Sequence, residues 1–145
     1  MAIYTSTGTH AQDLWHVDGT PDFGVFPAGI IPEVAENLPI WLKVGTSAYG
    51  EKHIRMRHGH WVRKHAGCVA ELVYLKLGHS GQVYCTEDAG KIKVSMRLNP
   101  SALLVLDLVT RVDLPHMSVT TLYFHQGPLD GNLIGRYPGR PSIRF

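Results

Sequence analysis

This chain of 145 residues has no long apolar run and no cysteine framework, and its first forty residues contain no lysine or arginine. No apolar segment approaches the roughly 18 residues of a transmembrane helix, and the first residues lack the basic-then-apolar order of a signal peptide. The two cysteines, Cys68 and Cys85, are too few for a disulfide scaffold. A single disulfide bond between them is the alternative to two free thiols. These features predict a soluble protein of a reducing cytoplasm, with no membrane partner.

Several motifs of nucleotide and hydrolase chemistry are also missing. The chain has no phosphate-binding P-loop and no dinucleotide-binding glycine pattern after a strand, and "GHSG" is not the nucleophile elbow of hydrolases. The pattern typical of ADP-ribosyl transfer is absent as well. The sequence therefore predicts no cofactor.

Positive charge is present but unevenly distributed. The net charge of +2 is too small for a general polycation, so any anion-binding surface must come from local clustering. The segment "YGEKHIRMRHGHWVRKH", residues 49–65, combines four histidines with five lysines and arginines, and "KIKVSMR" adds Lys91, Lys93 and Arg97. Three interpretations compete: a metal site, an acid/base site for a polyanion, or a solvated basic surface.

The length and the hydrophobic content of 44% predict one domain over residues 1–145. Residues 1–39 form a glycine- and proline-rich arm, for which we expect turns, short strands and one helical turn at "PEVAENL". Its aromatic residues indicate that it packs onto the core formed by residues 40–145.

The periodicity of the core predicts helices first and strands second. A short strand over 40–44 precedes a helix from Glu51, which Gly59 interrupts, and a second helix spans about 66–77. Four strands follow in "QVYCT", "KIKVSMRLN", "ALLVLDLV" and "SVTTLYFHQ", and "LIGRY" adds a short edge strand. We expect an α+β fold in which the helices pack on a four-stranded antiparallel sheet.

Alternation along two of these strands predicts a polar sheet face. In "KIKVSMRL" the lysines, Ser95 and Arg97 point away from the apolar side. In the last strand Val119, Thr121, Tyr123 and His125 share one face. A face that carries cations, hydroxyls and an imidazole suits RNA, which requires phosphate contacts and proton transfer together.

The first helix supplies candidate acid/base groups. His53 and Arg57 are four residues apart and share a side, with His58 next to them. Two imidazoles suit acid/base work because the ordinary pKa of histidine lies near 6.5. The spacing of His53, His58, His60 and His65 matches no standard zinc arrangement, and the surrounding cations would repel a divalent ion. The sequence therefore favours a site without metal.

The segment "LKVGTSAYGEKHIRMRH" resembles the helix motif of phage-associated nucleases grouped with barnase, EndoU, colicin D and RelE. In that superfamily a helical part packs on an antiparallel sheet, and a late strand like "SVTTLYFHQG" completes the site. The resemblance covers about residues 40–126. It implies metal-independent RNA cleavage by 2′-hydroxyl transesterification, through these catalytic residues: His53, Arg57, His58, Arg97, Thr121, Tyr123 and His125.

The resemblance leaves the division of roles open. Either His53 or His58 would be the base and His125 the acid, while the arginines would stabilise charge on phosphoryl oxygens. No glutamate base is evident on the sheet, and Glu71 is expected to serve structure. The residues expected to contact RNA elsewhere are Lys52, Arg55, Lys91 and Lys93.

The implied partners are RNA, with tRNA as one candidate, and an immunity or inhibitor protein. A toxin-type or phage-encoded enzyme would work in the cytoplasm of its own or a target cell. The alternative is a binding module for nucleic acid or protein that keeps the fold without the chemistry.

Overall fold

The computed structural model of the chain describes residues 2–88, 91–98, 101–110, 112–129 and 131–140. Within these residues the chain forms nine strands and two helices. In chain order they are β1 (Tyr4–Ser6), β2 (Trp15–Val17), β3 (Gly24–Phe26), β4 (Leu38–Trp41), α1 (Gly50–His65), α2 (Val69–Lys76), β5 (Gly81–Asp88), β6 (Lys91–Leu98), β7 (Ala102–Val109), β8 (His116–Phe124) and β9 (Asn132–Tyr137).

Seven of the strands in the described residues form one sheet in the order β3-β4-β8-β7-β6-β5-β9, which we call the main sheet. Strands β1 and β2 pair separately. Neighbours in the main sheet are antiparallel except β4 and β8, which are parallel. The prediction of an α+β fold with a four-stranded sheet is therefore wrong, because the described chain is mostly β and three further strands extend the β5–β8 meander.

Two of the three additional strands correspond to predicted ones: the strand expected over 40–44 lies at Leu38–Trp41 as β4, and "LIGRY" lies in β9. Strand β3 was not predicted individually, because its three residues are too few to show a clear alternation in a glycine- and proline-rich segment. The parallel pairing of Ile40 with Met117 depends on the folded structure and has no local signal. The "LIGRY" segment does form β9, and it pairs with β5 at the far edge. Residues 32–38 form a turn, irregular chain and the start of β4, without the expected helical turn.

Helix α1 continues through Gly59 and is kinked at His58, whose φ of −130° and ψ of 16° are not helical. Backbone carbonyls satisfy N–H groups at its start: Lys43 accepts from Glu51 at 2.9 Å, and Val44 accepts from Lys52 at 3.0 Å. Helix α2 begins with a side-chain cap, because Cys68 Sγ accepts from the Glu71 N–H at 3.5 Å. The kink lies next to the glycine that the sequence marked as an interruption.

In the described residues, one hydrophobic core joins the arm, both helices and the main sheet, and burial of its apolar surface is the main stabilising contribution to the fold. The arm contributes two phenylalanines, the helices contribute aliphatic side chains, and the sheet contributes alternate residues of its central strands. Among the fully buried members are Phe23, Phe26, Ile54, Leu72, Met96, Leu104, Leu122 and Tyr137.

A β-bulge in β8 changes which residues face the core. Val105 pairs with Thr121 while Leu106 pairs with Val119, so Thr120 is an extra residue in β8. Val119 is therefore buried in the core together with Leu122. The expectation that Val119 shares the polar face with Thr121 is wrong, because alternation restarts after the bulge.

Candidate active site

The polar face of the main sheet is built from alternate residues of β6, β7 and β8. Leu103 in β7 pairs with Arg97 on one side and with Tyr123 on the other. Val105 pairs likewise with Ser95 and Thr121. Because side chains alternate along a strand, these two rows lie on the same face, about 7 Å apart. The strand alternation predicted from the sequence thus holds for β6 and for β8 after its bulge.

Helix α1 brings its histidines to this face. The ring of His58 stacks on Tyr123, with 5.2 Å between the ring centroids and an angle of 22° between the planes. His53 meets His58 edge to face at 6.1 Å, and Tyr123 meets His125 edge to face at 5.8 Å. These four side chains, which we call the ring cluster, join the early helix to the end of β8.

The surroundings of His58 favour its neutral form. Burial lowers the pKa of His58, and the nearby His53 and Arg57 add to the effect by positive charge. Tyr123 covers one side of the ring and contributes to this burial. A histidine that stays neutral below its ordinary pKa is suited to accept a proton near neutral pH.

His53 is oriented by the loop before α1. Its Nδ1–H donates to the backbone carbonyl of Ser47 at 2.7 Å. Because a carbonyl can only accept, the other ring nitrogen, Nε2, is the atom that can take or give a proton. The loop thus fixes which nitrogen of His53 is used.

His125 is held by Arg97 at the other end of the ring cluster. The Arg97 guanidinium donates to Nδ1 of His125 at 3.4 Å and also donates to the backbone carbonyl of Gly127. Since arginine cannot accept, Nδ1 of His125 is the acceptor and Nε2 carries the proton. Arg97 therefore positions His125 and the loop that follows β8, while its own Nε is buried without a partner among the described residues.

A cleft of about 490 Å³ continues from the ring cluster along the polar face. Tyr123 and His125 line it at the cluster end. Its other lining residues are Thr86, Lys93, Ser95, Leu103, Val105, Thr120, Thr121, Pro128 and Leu129.

The structure brings together six of the seven residues predicted as catalytic around the ring cluster and the polar face. They are His53, His58, Arg97, Thr121, Tyr123 and His125. The seventh, Arg57, is exposed and acts on His58 through its charge. The hydroxyl of Thr121 is buried without a hydrogen-bond partner in the described part of the chain. A buried hydroxyl without a partner is uncommon in folded proteins.

The predicted RNA-binding residues are more scattered. Lys93 lines the cleft. Lys91 lies at the opposite end of β6 from Arg97, about 20 Å away along the strand. Arg55 is paired with Glu51 at 3.0 Å, and Lys52 is exposed on the first turn of α1.

Sequence reasoning missed Thr86 and Thr120 as cleft residues. Thr86 pairs with Lys93 across the β5–β6 hairpin, so alternation together with the short "EDAG" connection contained a signal for it. Thr120 faces the cleft because of the bulge, and its hydroxyl donates to Asp107 at 2.9 Å. The bulge has no local sequence signal that we recognise.

Two further properties bear on the class of site. Among the described residues, no three histidine, cysteine, aspartate or glutamate side chains are grouped so as to hold a metal ion. Neither α1 nor α2, the helices of the described part, is long and apolar enough to cross a membrane. No family model, curated protein or solved structure matches the chain.

Proposed function

We propose that the protein is an endoribonuclease that cleaves RNA by attack of the 2′-hydroxyl on the adjacent phosphorus. The observation that supports this most directly is the stacking of His58 on Tyr123, which joins the helix imidazoles to the polar face of the main sheet. Tyr123 and His125 belong to both the ring cluster and the cleft, so the helix imidazoles lie next to a cleft that a phenol, an imidazole, hydroxyl residues and Lys93 line.

In the proposed reaction His58 is the general base. Its neutral ring takes the proton of the 2′-hydroxyl, and the 2′-oxygen forms a bond to phosphorus. The bond from phosphorus to the 5′-oxygen then breaks, and His53 supplies a proton to the leaving oxygen through Nε2. The products are a 2′,3′-cyclic phosphate and a free 5′-hydroxyl, and no external reactant is consumed.

The remaining residues bind the phosphoryl group. The Tyr123 hydroxyl and the Nε2–H of His125 donate toward the phosphoryl oxygens, and Arg57 supplies positive charge next to the base. Donors aimed at developing charge commonly contribute about 3 kcal/mol each to transition-state stabilisation. The contact with Arg97 favours a donor role for His125 instead of the role of acid, because a proton on Nδ1 would face the guanidinium.

The resemblance of the helix motif supplies the biological setting of the proposal. It favours a toxin-type or phage-encoded enzyme of the cytoplasm, with tRNA as a candidate substrate and an immunity or inhibitor protein as a partner. The ring cluster and cleft support the chemistry of this proposal and leave the identity of the RNA to experiment.

The test compares purified wild-type protein with His58→Ala and His60→Ala, incubated with total RNA in EDTA. We expect fragments that end in 2′,3′-cyclic phosphate and a rate at least about 10²-fold lower for His58→Ala, as is typical for loss of a general base. His60 is exposed on the same helix, so His60→Ala serves as the matched control and should cleave like the wild type. Preparing the variants in parallel also controls for contaminating nuclease.

Equal cleavage by His58→Ala, or intact RNA with the wild type, would contradict the proposal. Binding of RNA without cleavage would instead assign the protein to the class of binding modules.

A further inference from the structure

The cleft extends well beyond the atoms that the proposed reaction uses. Arg97, Ser95 and Lys93 are alternate residues of β6 and face the same side of the main sheet. Arg97 and Lys93 lie four residues apart, which places their backbones about 13 Å apart along the strand. The space between them exceeds what a single phosphodiester fills, so the cleft has room for a neighbouring part of the substrate.

The middle of the cleft combines an apolar floor with polar edges. Leu103 and Val105 form the floor, and they are 4% and 8% exposed. The polar residues Ser95, Thr86 and Thr121 line the cleft around them. A nucleobase has two apolar faces and a hydrogen-bonding edge, so its chemistry matches this arrangement.

The far end of the cleft carries an available cation. Lys93 is exposed, and it has no ion pair with any side chain that the structure describes. Asp107 pairs with Lys93 in the strand register, but its carboxylate accepts a hydrogen bond from Thr120. Because no described carboxylate lies within ion-pair distance of the Lys93 ammonium, that group can meet a phosphate. The backbone of Lys93 lies about 13 Å along the strand from the row that contains Tyr123.

We infer that this cleft is a subsite for the nucleotide next to the cleaved bond. It holds the base of that nucleotide over Leu103 and Val105 and its outer phosphate at Lys93. The inference rests on the proposed function for the identity of the ligand. A base can enter the cleft only when it is unstacked and unpaired, so the substrate class is single-stranded RNA, such as a loop.

The binding test uses dinucleotides that cannot be cleaved because the first ribose carries a 2′-O-methyl group. Each is prepared with and without a terminal phosphate, at the 5′ end in one series and the 3′ end in the other. In one of the two series, we expect the wild type to bind the dinucleotide with the terminal phosphate about fivefold more tightly than the one without it, as for an exposed charged contact. Lys93→Ala should bind the two forms with equal affinity.

Lys91→Ala is the matched control. Lys91 lies on the same strand and face but outside the cleft, so its removal changes the local charge equally. Lys91→Ala measures how much of the affinity gained from the phosphate comes from general electrostatics at this end of β6. We expect most of that gain to persist in Lys91→Ala, because solvent and salt screen a charge that does not contact the phosphate. A further arm replaces the flanking base by an abasic residue, which should weaken binding to the wild type.

These outcomes separate the subsite from the reaction. An equal phosphate gain in Lys93→Ala and Lys91→Ala, no effect of the missing base, or no binding of any dinucleotide by the wild type would overturn the subsite. The probes cannot be cleaved, so their binding does not depend on the reaction. If they bind as expected but the cleavage test leaves RNA intact, the proposed reaction is contradicted and the subsite is still supported.

Discussion

His58 shows how one residue can combine a structural irregularity with a chemical property. It lies at the kink of α1, and its ring stacks on Tyr123 of β8. Burial and the neighbouring positive charges then lower the pKa of His58. The sequence identified this histidine as a candidate from its neighbours, and the positive charge of His53 and Arg57 lowers its pKa. Burial, the largest cause, requires the folded structure.

The lowered pKa of His58 can be measured directly. Proton NMR titration should give this ring a midpoint below the ordinary value near 6.5, because burial and positive charge disfavour its protonated form. Tyr123→Ala removes the stacked ring and should raise the pKa of His58 toward that value. If cleavage occurs as proposed, the acid limb of kcat/KM should move in the same direction.

The interpretation of His58 as a buried base would be contradicted by a midpoint at or above 6.5, or by one that does not respond to Tyr123→Ala.

At the scale of elements, the position of α1 depends on the loop that precedes it. Gly50 has a φ of +80°, in the region that glycine tolerates and other residues rarely adopt. The Lys43 carbonyl that accepts from Glu51 also lies 2.7 Å from the place where a Cβ of residue 50 would be. The same loop presents the Ser47 carbonyl to His53, so the loop controls both the start of the helix and an imidazole of the site.

Gly50→Ala should therefore destabilise the protein more than an alanine at another glycine with positive φ. Gly29 is the matched control: its φ is +86°, and an added Cβ would meet no described atom within 4 Å beyond its chain neighbours. We expect Gly29→Ala to lower the free energy of unfolding by about 1–2 kcal/mol from backbone conformation alone. Gly50→Ala should cost about 1–3 kcal/mol more, because the Lys43 carbonyl must move.

Urea unfolding of the two variants beside the wild type measures this difference. Equal destabilisation would show that the loop relaxes freely, and that Gly50 does not hold α1 in place.

Strand β8 illustrates why an element can be predicted while its faces are not. Its apolar alternation was strong enough to predict the strand, and Tyr123 and His125 do share the polar side. The bulge at Thr120 shifts the alternation by one residue, which buries Val119 and turns Thr120 toward the cleft. A one-residue insertion is decided by pairing with β7, so the sequence of β8 alone does not contain it.

At the scale of the whole molecule, the arm is part of the core. Phe23 and Phe26 are fully buried in the same cluster as Ile54 of α1 and Leu104 of β7. Strands β3 and β4 extend the main sheet beyond β8. The aromatic content of residues 1–39 led us to expect packing onto the core, but the hydrogen bonding of this segment into the sheet was not predicted.

Substitution in β3 tests whether the arm contributes to global stability. Phe26→Ala should lower the free energy of unfolding by about 3–5 kcal/mol, the usual cost of removing a fully buried phenylalanine. The neighbouring Val25 is 48% exposed, so Val25→Ala should change the free energy of unfolding by less than about 0.5 kcal/mol. Denaturant unfolding measures both. A small effect of Phe26→Ala would mean that the arm docks without supporting the core.

The sequence by itself determined the local properties of this protein: the helix with its histidines, the four strands of the β5–β8 meander, and the cationic side of β6. These depend on periodicity and turn residues, which act over a few positions. The tertiary structure alone decided the joining of seven strands into the main sheet of the described residues, the bulge in β8, and the stacking of His58 on Tyr123. Each of these joins residues far apart in the chain, and such pairings depend on the packing of the whole core because no local pattern encodes them.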